Sequence, residues 1–87
     1  MAVTGRVSWF KLDKKFGFVA LEDGSGDAFL HVSVLKAAGY VSVPAGTTLR
    51  VRVEEEQRRR RVIEILAVDT TTAYPGEPEP VRRKNSN

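Results

Sequence analysis

From Thr48 to Glu56 the chain changes side at every residue. Leu49, Val51 and Val53 alternate with Arg50, Arg52 and Glu54. A period of two suits a half-buried strand and no helix. Short runs of the same kind lie on either side: Thr4 to Leu12, with Val7, Trp9, Phe10 and Leu12; Phe16 to Glu22; Asp27 to Val32; and Arg60 to Asp69, with Val62, Ile63, Ile65, Leu66 and Val68. Turn chemistry separates them. Asp23-Gly24-Ser25-Gly26 signals a hairpin, because glycine takes positive φ without a Cβ clash. Leu12 to Lys15 is a short connection, and Glu56 to Arg59 is the last hairpin loop. Only Ser33 to Gly39 fits a helix, of one or two turns, with Ser33 as N-cap and Gly39 at its end. The reading is all-β: five short antiparallel strands and one brief helical turn after the third. With 87 residues the chain holds one domain of ordinary size. So small a sheet is expected to close into a barrel, which removes its exposed edges.

Composition shifts after Asp69. Residues 70–87 hold Pro75, Pro78 and Pro80, and their apolar side chains are Ala73, Tyr74 and Val81 alone. Such a stretch buries too little to offset its ordering entropy. The expected organisation is a barrel over 1–69 and a flexible Pro-rich tail or linker over 70–87, ending in the basic Arg82-Arg83-Lys84. The absence of cysteine and the single histidine exclude disulfides, thiolate metal sites, cysteine nucleophiles and multi-histidine centres. No cofactor or metal is expected. No apolar run approaches the ~18–20 residues of a membrane span, so a soluble, cytoplasmic monomer is expected, with no membrane partner and no small-molecule substrate.

The aromatics carry the functional signal. In Phe16-Gly17-Phe18-Val19 both rings share one face. In Ala28-Phe29-Leu30-His31-Val32, Phe29 shares a face with His31, and Ala28, Leu30 and Val32 share the other. His31 prefers water to an apolar core, so Phe29 is expected outside with it, while Ala28 and Leu30 fill the interior. Val7, Val19, Leu49, Val51, Val53, Ile63 and Ile65 are expected to join them. Phe16, Phe18, Phe29 and His31 then form an exposed platform, with Trp9 and Phe10 on the strand beside them. Every nucleobase has a π-face, so a row of rings edged by cations binds single strands with little sequence preference. Lys11, Lys14, Lys15 and Arg58 to Arg61 supply the cations. A net charge of +3 adds little, so the argument rests on placement.

These motifs resemble the bacterial cold-shock domain. Gly5-Arg6-Val7-Ser8-Trp9-Phe10 is similar to that family's opening G-x-V-K-W-F, Lys14-Lys15-Phe16-Gly17-Phe18-Val19 to K-G-F-G-F-I, and Asp27-Ala28-Phe29-Leu30-His31 to D-V-F-V-H. Gly39-Tyr40 resembles the G-F or G-Y after its short helix. The resemblance covers residues 4–68. It implies a five-stranded OB-type barrel that binds single-stranded RNA or DNA, in several members as an RNA chaperone. It implies stacking roles for Trp9, Phe10, Phe16, Phe18, Phe29, His31 and Tyr40, and polar contacts from Lys14, Asp27 and Arg58. The exit through Asp69 to Ala73 resembles the linker after the first domain of tandem cold-shock proteins, which implies a fragment or a pared-down relative.

The chain departs from that pattern in four places. Ser8 stands where the family has Lys, Lys15 where it has Gly, and Val32 where a third ring commonly follows the histidine. Glu54 to Glu56 and the four arginines replace a Gly-rich segment. Ser8, Lys15 and Val32 slightly favour an alternative reading, a diverged barrel that uses its aromatic face as a protein-interaction module, while the run Arg58 to Arg61 fits either reading. An enzyme is not expected, since His31 is the lone candidate base and a small convex face offers it no pocket.

Overall fold

The computed structural model describes residues 2–76 and the backbone of Val81–Arg82. The strands are β1 (Ala2–Lys11), β2 (Phe16–Leu21), β3 (Gly26–His31), β4 (Tyr40–Ser42), β5 (Thr48–Glu56), β6 (Arg59–Asp69) and β7 (Val81–Arg82). A short helix α1 (Val32–Ala37) follows β3, and a 3-10 turn (Thr70–Thr72) follows β6. Five strands close a barrel in the order β1-β2-β3-β6-β5. All but one of its seams are antiparallel. β3 and β6 run parallel, joined at Ala28↔Arg60 and Phe29↔Arg61. The expected five-stranded barrel is thus antiparallel except at this one seam. The chain crosses over through α1, β4 and β5 before β6 reaches β3, and such a crossover can deliver a parallel neighbour where a hairpin cannot.

The core is the inward aliphatic set. Val7, Val19, Ala28, Leu30, Leu49, Val51 and Val62 are fully buried, and Leu35 of α1 joins them. Val53 and Ile65 pack against this cluster from its margin. Ile63, expected inside, is 40% exposed, and Val62 takes the interior place. Two irregularities explain the exchange. Val51 pairs with Ile65 while Arg50 pairs with Ala67, and Val53 pairs with Val62 while Arg52 pairs with Glu64. Leu66 and Ile63 are the extra residues, and each bulge shifts the phase of β6 by one position.

The helix also starts differently from the sequence expectation. His31, not Ser33, is the N-cap, and its side chain accepts from the Ser33 amide. Val32, the first helical residue, is only 6% exposed. The position after the histidine therefore serves the core and does not extend the platform.

The segment read as a tail begins as part of the barrel's outer packing. Thr72 Oγ1 donates to the Gly46 carbonyl at 2.6 Å, and the Tyr74 amide donates to the Ala45 carbonyl at 3.0 Å. Thr48 and Thr72 hydroxyls lie 2.7 Å apart. Hydroxyl and backbone bonds hold Thr70–Tyr74 where apolar content gave no sign of docking. β7 then pairs with β4 through Tyr40↔Arg82 and Ser42↔Val81. The rest of the expected tail, 77–80 and 83–87, lies outside the described residues.

Candidate nucleic-acid interface

Strand register gathers the rings. Trp9 sits opposite Phe18, Phe18 opposite Phe29, and Phe16 opposite His31. Trp9 lies 5.5 Å from both Phe16 and Phe18, measured between ring centroids. Phe29 is 5.5 Å from Phe16, 5.9 Å from Phe18 and 6.3 Å from His31. The outward sides of β1, β2 and β3 thus carry one continuous aromatic surface, its Trp and Phe rings half-buried against one another and its histidine exposed. Tilted and edge-on ring contacts suit the aromatic quadrupole.

Two local features make this possible. A Cβ on Gly17 would lie 2.2 Å from the Trp9 carbonyl oxygen, so the close approach of β1 to β2 requires glycine. Ser8 is the extra residue of a bulge, because Val7 pairs with Val19 and Trp9 with Phe18. That bulge reverses the alternation, so that Val7 points inward and Trp9 outward. Phe10 then faces in and packs against the core. The sequence reading placed it beside the platform with Trp9, and that face is corrected.

The cations fall into two groups. Lys11, Lys14 and Lys15 are exposed around the β1–β2 connection, and no ion pair engages them among the described residues. Lys15 has φ +66°, a left-handed conformation that costs a non-glycine residue about 1–2 kcal/mol. Its amide donates to the Lys11 carbonyl at 2.9 Å, and its own carbonyl accepts from the Val32 amide at 2.9 Å, so the turn is held at both ends.

The second group is the β5–β6 hairpin. Gln57 and Arg58 form its two-residue turn, at φ +49° and +69°. That turn sets Glu56, Glu55 and Glu54 opposite Arg59, Arg60 and Arg61. Arg60 reaches Glu55 at 3.2 Å, and Arg61 reaches Glu54 at 3.6 Å and Glu56 at 3.5 Å. Arg60 also donates to the Ser25 carbonyl at 2.7 Å, tying the hairpin to the β2–β3 turn. In that turn the Ser25 hydroxyl and amide donate to Asp23. They hold the Asp23 carboxyl below its usual range, helped by the Arg60 charge. Between the hairpin and the sheet runs an open groove of 910 Å³, walled by Phe18, Asp27 and Phe29 on one side and residues 56–61 on the other.

This geometry agrees with what comparison with known proteins finds. The 'Cold-shock' DNA-binding domain family matches residues 3–68. The chain belongs to that family. Over 66 residues it is 32% identical to the cold shock-like protein CspB of Yersinia pestis, covering 76% of this chain and 94% of the relative. It is 29% identical to the cold shock-like protein CspC of Escherichia coli, covering 76% and 96%. It is 40% identical over 58 residues to the major cold shock protein CspA of Bacillus cereus, covering 67% and 85%.

Within this cold-shock domain, the structure brings Trp9, Phe16, Phe18, Phe29 and His31 together and sets Asp27 on the same outward side of β3 as Phe29. Arg58 stands across the groove from Phe18, Asp27 and Phe29. Tyr40 is half-buried on β4 and packs against the core. His31 Nδ1 accepts from the Ser33 amide at 3.1 Å and lies 2.9 Å from the Ser33 hydroxyl. Nδ1 is thereby engaged, which leaves Nε2 of the exposed ring for an outside partner. The groove itself was not legible from composition. Its one advance signal is the two-residue turn, which places three glutamates opposite three arginines once it is located. Among the described residues no cluster of acidic or histidine side chains is arranged to hold a metal, and no helix is long and apolar enough to cross a membrane.

Proposed function

We propose that this cold-shock domain binds single-stranded RNA or DNA by stacking bases on Trp9, Phe16, Phe18, Phe29 and His31. The exposed Lys11, Lys14 and Lys15 take the phosphates. The observation that carries this reading is the unbroken chain of ring contacts on the outward side of β1–β3, next to lysines that make no ion pair among the described residues. Stacking contributes about 1–3 kcal/mol per base and tolerates any base. Binding of this kind fits a chaperone-like role, in which strands are kept apart without being read closely. The protein acts in the cytoplasm as a monomer, needing no cofactor and catalysing no reaction. His31, the one imidazole, has its Nδ1 engaged by the helix it caps, which leaves no oriented base. A protein-docking role for the rings has no comparable support, since the exposed lysines beside them suit phosphates.

Trp9 is the only tryptophan, so its fluorescence reports on the platform alone. Titration with thymidine oligonucleotides of increasing length should quench it, with affinity rising until the platform is filled. A single strand that binds without changing Trp9, or no strand binding at all, would remove the platform from the mechanism.

A further inference from the structure

The groove between sheet and hairpin contains charged groups of two kinds. Glu56 and Arg61 are paired with each other, and Arg60 is held by Glu55 and the Ser25 carbonyl. Asp27, Arg58 and Arg59 line the same groove and make no ion pair or side-chain hydrogen bond among the described residues. The groups left open are thus two guanidinium groups on the hairpin wall and one carboxylate on the sheet wall. Ring faces from Phe18 and Phe29 lie with them. Opposite Asp27 on β2 is Ala20, whose methyl leaves room beside the carboxylate.

A guanidinium only donates and an ionised carboxylate only accepts. A base stacked on Phe29 must therefore present acceptors to one wall and donors to the other. Guanine does so, with N7 and O6 on one edge and N1–H and the N2 amino group on another, and a single strand leaves both edges free. Adenine sets a donating amino group beside N7, which would face the guanidinium groups. Thymine and uracil place one N–H between two carbonyls. Cytosine carries its donor and its acceptors on a single edge, so it cannot meet both walls at once.

We propose that this groove is a guanine-selective subsite: Phe18 and Phe29 stack the base, Arg58 and Arg59 donate to O6 and N7, and Asp27 accepts from N1–H and N2. The inference rests on the reading of the platform as a strand-binding surface and adds a base preference to it. A strand crossing the rings is then held in register wherever a guanine meets the hairpin.

The test compares thymidine heptamers that carry guanosine, adenosine, cytidine or thymidine at the centre, with Trp9 quenching as the readout. The guanosine heptamer should bind about 5- to 150-fold more tightly than the all-thymidine one, the range of one good bidentate base contact. Replacing guanosine by 7-deazaguanosine, which lacks the N7 acceptor, should lose part of that gain in the wild type. It should lose nothing further in an Arg58→Lys/Arg59→Lys variant, which keeps charge but not the planar fork. Inosine, which lacks the N2 amino group, should behave in the same way against Asp27→Asn. The proposal is overturned if guanosine gives no gain, if cytidine or adenosine gives the larger one, or if the gain survives in both variants. Should the thymidine heptamer quench Trp9 while guanosine adds nothing, the subsite alone falls. Should no heptamer bind, the platform reading falls with it.

Discussion

The aromatic sheet of β1–β3 and the charged hairpin of β5–β6 face the same groove with opposite habits. On the sheet, the rings touch one another and, among the described residues, the lysines at its end meet no carboxylate. On the hairpin, Arg60 and Arg61 are already neutralised by Glu54, Glu55 and Glu56. Positive charge counted along a chain is therefore not the charge offered to a phosphate. An exposed ion pair contributes only about 0–1 kcal/mol to stability, yet it lowers the local potential that an incoming strand meets. On the proposed reading the sheet supplies general affinity, while the hairpin holds Arg60 and Arg61 in ion pairs and, among the described residues, leaves Arg58 and Arg59 outside them.

The sharpest way to break this comparison is to truncate a residue on each side of β3. Leu30→Ala should cost about 2–5 kcal/mol of stability, the range for a fully buried leucine. Phe29→Ala should lose about 1–3 kcal/mol of strand binding and destabilise less than the ~3–5 kcal/mol of a core phenylalanine. Urea denaturation read beside the fluorescence titration decides it, and equal destabilisation would show that the rings are core after all. Next in size is the reserve of charge. Wild-type binding should weaken with salt at a log–log slope of roughly −2 to −3.5, from three to five phosphate contacts. Glu54→Gln/Glu55→Gln/Glu56→Gln should tighten binding about 3- to 10-fold at low salt and steepen the slope by about 1. An unchanged slope would mean that the pairs do not restrain Arg60 and Arg61.

A smaller effect concerns the turn. Gln57 holds a positive φ that asparagine tolerates better, so Gln57→Asn should raise stability by about 0.5–1 kcal/mol without altering binding. A thermal melt with no upward shift would argue that the turn carries no strain. The smallest effect is acid sensitivity at the β2–β3 turn. Hydrogen bonds from Ser25 depress the Asp23 carboxyl, and a depressed folded value gives stability that is complete above the unfolded pKa of about 3.9 and lost as pH falls through the folded one. The stability gap between wild type and Asp23→Ala should be constant near neutrality and narrow below about pH 4. A gap that widens on acidification would reverse the assignment.

How much of this could be read in advance depended on bulges. β2 and β3 alternate without interruption and pair in continuous register, so one polar residue, His31, was enough to orient both strands and the rings on them. β1 and β6 each change phase at bulges, at Ser8, Ile63 and Leu66. No local residue pattern marks those positions, since a serine, an isoleucine and a leucine are ordinary strand residues. The faces of Phe10 and Ile63 were misjudged for that reason alone. Lys15, which stands where the family has glycine, does take a positive φ. The groove was not legible, because it forms between residues brought together by the parallel closure, far apart in the chain.

That closure works as a clasp. Only Ala28↔Arg60 and Phe29↔Arg61 join β3 to β6, whereas nine residue pairs join β5 to β6. Local opening favours the least-bonded seam, and here the seam runs through the groove, with Phe29 on one lip and Arg61 on the other. A guest that touches both lips can be held only while the clasp is shut. Its binding free energy therefore returns to the barrel as resistance to opening. Exchange of the backbone amide hydrogens around Phe29 and Arg61 with solvent should slow when a strand is bound, while amides midway along β1 and β2 keep their rates. The weakest join in the barrel becomes the place where an occupied and an empty molecule differ most in how they breathe.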